Sequence, residues 1–308
     1  MAEIIENTAE SIRNMTIRGA GRIARAGASA MGDFAMDYKG TSLEDFRRDI
    51  KKSADVLIAS RPTAVSLWNG VRATMRGLST VSTLQEARDT VSSNAVEFVE
   101  ISARAVATIA KIGANRIKSG DVIMTHCNSS AAIGVIKEAH RQGKDIKVYA
   151  TESRPWRQGI ITVKELAEAG IDTTLIVDSA VRTVMKEVDK VFVGADTITS
   201  HGALINKIGT SQLALAAHEA RVQFYVCSET YKFSPATIFG DMVTIEERSL
   251  DEVVKKGEIP ESVKIFNPVF DSTPAAYIDA IITDVGMIHP GAVYEVMVRQ
   301  LGDSLFEE

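Results

Sequence analysis

Short apolar runs and helical apolar spacings alternate through the C-terminal two thirds of the chain, whereas the first third carries helical spacing alone. Val122-Ile123-Met124 reads as a buried strand. It turns through His126-Cys127-Asn128-Ser129-Ser130 into a helix with apolar positions at Ala131, Val135, Ile136 and Ala139. The same grammar recurs. Val148-Tyr149-Ala150 ends in Thr151-Glu152, Leu175-Ile176-Val177 in Asp178, Val191-Phe192-Val193 in Gly194-Ala195-Asp196, and Phe224-Tyr225-Val226 in Cys227-Ser228-Glu229. Helices are predicted over 130–142, 163–169, 180–188 and 207–220, with a late strand over 278–283. Such alternation implies a mostly parallel sheet with right-handed crossovers.

Before Gly120 the spacing predicts helices over 4–15, 22–36, 43–58, 61–76 and 84–118, the last as one helix or two. Thr41-Ser42-Leu43-Glu44 reads as a capping box. The expected organisation is α/β: a mainly helical N-terminal domain, 1–120, and a sheet domain, 121–308. At 308 residues, with 45% hydrophobic and 24% charged content, the chain matches soluble globular proteins. No apolar run approaches the ~20 residues of a membrane span, and MAEIIENTAES has neither the basic start nor the apolar core of a signal peptide. A net charge of −5 gives no footprint for nucleic acid. The expectation is a cytoplasmic protein with no nucleic-acid and no membrane partner.

Each of these strand ends carries a cysteine or a carboxylate. In open parallel sheets that edge binds ligands, although a single acidic strand end also serves as a helix cap. Cys127 stands just ahead of a helix start, where the dipole favours thiolate; closing a strand is the plainer role. Asp196 ends a very apolar strand, and burial there would hold it protonated as a general acid; the alternative is a cap on the next turn. Cys227 has apolar neighbours and reads as core. His126 adjoins Cys127 but points to the opposite side of a strand, which argues against a Cys–His dyad. The two cysteines have no metal-ligand spacing.

Several positions suit a phosphate ester. Arg18-Gly19-Ala20-Gly21-Arg22 contains G-x-G-x-x-A without the strand that a dinucleotide loop needs. It reads as an anion-binding helix start or a tight helix corner. Arg61 precedes another helix start, Arg154, Arg157 and Gln158 crowd the loop after the second strand, and Asn206-Lys207 are expected to open a helix.

Together THCNS, TESRPWRQG, GAD followed by NKIGT, RPTAVSL and IRGAG resemble the superfamily of sugar-1-phosphate aldose–ketose isomerases. It joins methylthioribose-1-phosphate isomerases, archaeal ribose-1,5-bisphosphate isomerases and the regulatory subunits of the eukaryotic initiation-factor exchange factor. The resemblance spans nearly the whole chain and implies a Rossmann-like second domain with the active site between the domains. Regulatory subunits typically lack the cysteine and carry glutamate in place of the GAD aspartate; Cys127 and Asp196 favour an enzyme. The absence of a long insertion after HCN, Ser66 in RPTAVSL and the SETYKF wording at 228–233 are similar to the ribose-1,5-bisphosphate branch. The resemblance implies Cys127 as base and Asp196 as acid, with Arg18, Gly19, Ala20, Arg61, Arg154, Gln158, Asn206 and Lys207 on the phosphosugar. It further implies no cofactor or metal, a role in nucleotide salvage, activation by adenosine monophosphate (AMP) and a homo-oligomer, expected as a hexamer.

Overall fold

The computed structural model describes residues 3–17, 19–240, 242–260 and 262–301. Arg18 lies outside them. The chain divides into two compact units, one of Met1–Ala105, Tyr231–Phe233 and the end from Leu301, the other of Val106–Thr230 and Ser234–Gln300.

The first unit holds helices α1 (Glu3–Arg13), α2 (Ala20–Asp37), α3 (Leu43–Ser60) and α4 (Val65–Thr74), and the start of α5 (Leu84–Ala114). Their apolar stripes meet in a core that includes Ile5, Ile12, Met31, Phe46, Ile50, Leu57 and Leu67. Each large side chain fully buried there contributes roughly 1.5–3 kcal/mol. Small residues on α2 let α4 approach: a Cβ built on Gly27 would stand 2.6 Å from Leu67 Cδ1. Ser42 caps α3 by accepting from the Asp45 N–H at 3.3 Å, so the box pairs Ser42 with Asp45. Helix α4 starts at Val65, later than the proline suggested, and the 84–118 pattern is a single helix to Ala114.

In the second unit the strands are β1 (Val122–Thr125), β2 (Lys147–Thr151), β3 (Asp172–Ile176), β4 (Lys190–Val193), β5 (Thr197–Thr199), β6 (Leu204–Lys207), β7 (Gln223–Cys227), β9 (Phe270–Thr273), β10 (Ala280–Thr283) and β11 (Gly286–Ile288), with β8 (Phe233–Ser234) straddling the division. The main sheet has seven strands in the order β11-β10-β7-β4-β1-β2-β3. All are parallel except β11, which forms a hairpin with β10. Central strands read as unbroken apolar runs because both faces are covered: β4 is buried throughout, whereas every residue of edge strand β3 is half-buried or exposed.

Helices α6 (Ser130–Arg141), α7 (Gly159–Glu168), α8 (Val181–Val184), α9 (Thr210–Ala220) and α10 (Val293–Leu301) complete the described helices. Helix α7 begins four residues earlier than its apolar spacing indicated, and the 180–188 pattern is only a short α8 between 3-10 turns. Cys227 is fully buried in the core cluster, as its neighbours implied.

Two features matter for function. The sheet grows from β1 to β3 in one direction and resumes at β4 on the other side of β1, so β1 and β4 flank the topological switch point. At its opposite edge the pair is pinned by Lys190 Nζ on Asp121 Oδ2 at 2.6 Å. The second feature was not visible as periodicity: a four-stranded sheet in the order β8-β5-β6-β9, inserted directly after Asp196. Its β5–β6 and β6–β9 pairs are antiparallel.

Candidate active site

The loop after β1 places Cys127 at the switch point in a left-handed conformation, φ 66°. That conformation costs a non-glycine residue about 1–3 kcal/mol and is held by its surroundings. The Cys127 N–H donates to Ser153 Oγ at 2.8 Å, and Thr162 Oγ1 donates to the Cys127 carbonyl at 2.6 Å. Ser153 is itself left-handed, φ 59°, in the loop after β2. Asp178, at the end of β3, fixes that loop by accepting from the Ser153 and Arg154 N–H groups, both at 2.8 Å. Helix α6 then starts under a Ser129 cap.

Electrostatics overturn the expectation of a thiol acidified by the helix start. Burial pushes the Cys127 thiol up to about 11; the Lys207 ammonium and the Asn128 N–H oppose the rise, and Asp196 and Asp178 add to it. Lys207 is drawn down from the usual lysine range by its own burial, against the pull of Cys127 and Asp196. Cys127, Asp196 and Lys207 therefore form one mutually interacting group.

Asp196 is not sealed in its strand. Strand β4 stops at Val193, and Asp196 lies beyond it, partly exposed, with its N–H donated to the Ile205 carbonyl at 3.1 Å. Gly194 admits the close approach of β4 to α6, since a Cβ there would stand 2.3 Å from Ser129 Oγ.

Asn206 and Lys207 do not open a helix. They close strand β6, and α9 starts only at Thr210, after Gly209 turns the chain at φ 100°. The donors at that helix start are taken by Asp271 of β9, whose carboxylate accepts from Gly209 N–H at 2.8 Å and Ser211 N–H at 3.1 Å. Burial lifts Asp271 to about 6, against the lowering by those N–H bonds. Lys207 is buried with its ammonium 5.1 Å from the centre of the Phe270 ring, and Asn206 Nδ2 donates to Thr210 Oγ1 at 3.0 Å.

In the loop after β2, Arg154 is exposed and its Nη2 donates to the Val253 carbonyl at 3.3 Å. Arg157 pairs with Glu152 at 3.2 Å, and Trp156 lies under the Arg248 guanidinium. Gln158 Oε1 is buried with no hydrogen-bond partner among the described residues, a buried acceptor that a ligand donor would satisfy. Both nitrogens of His126 are engaged, by Thr151 Oγ1 at 2.5 Å and the Ile208 carbonyl at 2.8 Å, so it does not act on the thiol as a base.

In the first unit, Gly19 precedes α2 at φ 90° with open space where a Cβ would stand, and no side chain caps the helix. The Ala20 carbonyl accepts from Ser66 Oγ at 3.0 Å. Arg61 ends α3, with Nη1 3.8 Å from Met15 Sδ. Sequence reasoning missed Ser153, Thr162 and Asp271 as supports. They act from a loop, a helix and a strand distant along the chain from the groups they hold, and only Asp178 announced itself as an acidic strand end. Among the described residues no cluster of His, Cys, Asp or Glu could hold a metal ion, and no helix is long and apolar enough to cross a membrane.

An open, mostly parallel sheet with Cys127 and Asp196 just past its two switch-point strands defines a Rossmann-like α/β protein. The chain belongs to the initiation factor 2 subunit family, whose model matches residues 16–290. It is 52% identical to the ribose 1,5-bisphosphate isomerase of Archaeoglobus fulgidus, over 100% of this chain and 96% of that protein. It is 51% identical to the ribose 1,5-bisphosphate isomerase of Methanocaldococcus jannaschii, over 97% and 96%. The crystal structure of the Pyrococcus horikoshii OT3 translation initiation factor eIF-2B matches with a TM-score of 0.81 at 35% identity, covering 94% of this chain and 98% of that one.

Proposed function

We propose that this protein is an aldose–ketose isomerase that converts ribose 1,5-bisphosphate to ribulose 1,5-bisphosphate. The observation that carries the reading is the placement of Cys127 and Asp196 just past β1 and β4, the strands that flank the switch point, with the buried Lys207 ammonium near enough to interact with both. Near-complete alignment with relatives bearing that activity in their names supports it.

The substrate's C1 carries a phosphate, so ring opening gives no free aldehyde. Cys127 as thiolate takes the C2 proton while the C1–O4 bond breaks and Asp196 delivers a proton to O4. The C1=C2 phosphoenol then takes a proton back at C1, and its C2 hydroxyl gives one up to become the ketone. Atoms balance without an oxidant, reductant or metal. A thiol at about 11 is thiolate in only about one molecule in ten thousand at pH 7. Lys207 has two roles in this reading: it favours the thiolate and contributes to phosphate binding.

Arg154, Gln158, Asn206 and Lys207 are the proposed phosphosugar contacts after the sheet strands, and motif resemblance supports adding Arg18, Gly19, Ala20 and Arg61. The uncapped start of α2, with no Cβ at Gly19 to block it, supports the phosphate role of that turn. The proposal extends to a cytoplasmic homo-oligomer, a hexamer, activated by AMP and acting in AMP-derived nucleotide salvage; motif resemblance supports these features.

The test compares ribose 1,5-bisphosphate, ribose 1-phosphate and methylthioribose 1-phosphate, each with and without AMP. The expected result is at least about a hundredfold preference for the bisphosphate, the factor for ~3 kcal/mol lost when a buried charged contact goes unmade. Faster turnover of the methylthio sugar would assign the chain to the methylthioribose branch. No turnover of any would favour a regulatory subunit.

A further inference from the structure

Four hydrogen bonds join the loops after β1, β2 and β6, and their direction is fixed by their ends. The Ile208 carbonyl can only accept, so His126 Nε2, at 2.8 Å, carries the proton. In the neutral ring Nδ1 is then an acceptor and takes the Thr151 hydroxyl proton at 2.5 Å. With its proton committed, Thr151 Oγ1 receives from Ser153 Oγ, for which it is the nearest acceptor at 3.3 Å. Ser153 Oγ in turn accepts the Cys127 N–H at 2.8 Å. Every donor points from Cys127 towards Ile208, the residue after Lys207. His126, Thr151 and Ser153 are all buried.

We propose that Ser153, Thr151 and His126 form a one-directional hydrogen-bond chain that holds Cys127 and Lys207 in register for proton transfer, with His126 a positioning residue in its neutral Nε2–H form. The inference rests on the isomerase reading and deepens it. A buried N–H left unpaired is costly, so the Cys127 N–H ties its loop to Ser153, and the chain passes that constraint to the turn that follows Lys207. Protonating His126 at Nδ1 would put two donors face to face at Thr151 and reverse the chain. Its surroundings oppose that step: burial and Lys207 disfavour the charged ring, against Asp178 and the Ile208 bond. Gly209 completes the fit, since a Cβ there would stand 3.1 Å from His126 Cε1.

The experiment combines nitrogen-15 spectroscopy of the histidine rings in the unaltered protein with kinetics of Thr151→Val and Thr151→Ser. The His126 ring should show Nε2 protonated and Nδ1 bare, unchanged from pH 7 to 8. Thr151→Val should lower kcat at least tenfold with KM within threefold and change the iodoacetamide rate at Cys127 at least threefold. Thr151→Ser should restore both. Parental kcat and labelling in Thr151→Val, or a His126 ring that carries its proton on Nδ1 or titrates in that range, would overturn the chain. If the valine variant does not fold, the ring resonances of the unaltered protein decide. A parent that turns over none of the phosphosugars would sink the isomerase reading alone, because resonances and alkylation rates need no substrate.

Discussion

Cys127 is held back by burial and helped by one neighbour. Its thiol is pushed up to about 11, and the Lys207 ammonium opposes that rise. A thiol with so high a pKa reacts only through its small thiolate fraction, which grows about tenfold per pH unit below the pKa. Alkylation by iodoacetamide should therefore rise about tenfold per unit from pH 7 to 9, without levelling off, and map to Cys127 while the fully buried Cys227 stays unlabelled. Lys207→Gln removes the opposing charge and should slow labelling at pH 8 by tenfold or more. A rate already level at pH 7 would mean an acidic thiol and overturn the account. Cys127→Ser should fold and bind substrate yet lose nearly all turnover, since serine is a far weaker base.

Helix α9 is presented to the site by a carboxylate from another strand. Asp271 has its ordinary value near 3.8 raised to about 6 in the fold. A carboxylate whose folded value lies above its unfolded one contributes stability that is complete below about 4 and is lost as pH climbs through 6. Asp271→Asn keeps an acceptor for the Gly209 and Ser211 N–H groups and has no proton to lose. From pH 4.5 to 7.5 the parent should therefore lose about 1–2 kcal/mol relative to the variant, after discounting for partial exposure. Urea unfolding in a Trp68→Phe background, with Trp156 reporting on the second unit, measures the difference; identical pH profiles would reject it. This anchor also explains what the sequence could and could not reveal. Strands β1, β2, β4 and β7 are short, doubly covered apolar runs and were legible as such, and so were the residues at their ends. The end of β6, Asn206-Lys207, reads as a helix start because it adjoins helical spacing, and its partners β5 and β9 are only three and four residues long. Pairing across more than sixty positions, as between Asn206 and Asp271, leaves no local signal.

On the scale of the whole molecule, a chain with a net charge of −5 is proposed to bind a sugar carrying two phosphates. Overall charge gives no attraction to such a substrate, so affinity must come from cations placed at each phosphate, and each end can be tested separately. An arginine holding the 5-phosphate contributes nothing to a substrate that lacks it, whereas one holding the 1-phosphate serves ribose 1,5-bisphosphate and ribose 1-phosphate alike. Arg61, at the end of α3, and Arg154, in the loop after β2, belong to different units. Replacing either by alanine should raise KM for the bisphosphate by about 10–150-fold, the factor for a lost charged hydrogen bond of ~1.5–3 kcal/mol. One of the two variants should leave KM for ribose 1-phosphate unchanged, which marks its arginine as the 5-phosphate ligand. Lysine at the same position should recover part of the loss, because it keeps the charge and gives up the planar fork. If both alanine variants bind the bisphosphate as the parent does, neither arginine holds a phosphate, and the charges that offset the substrate must lie elsewhere.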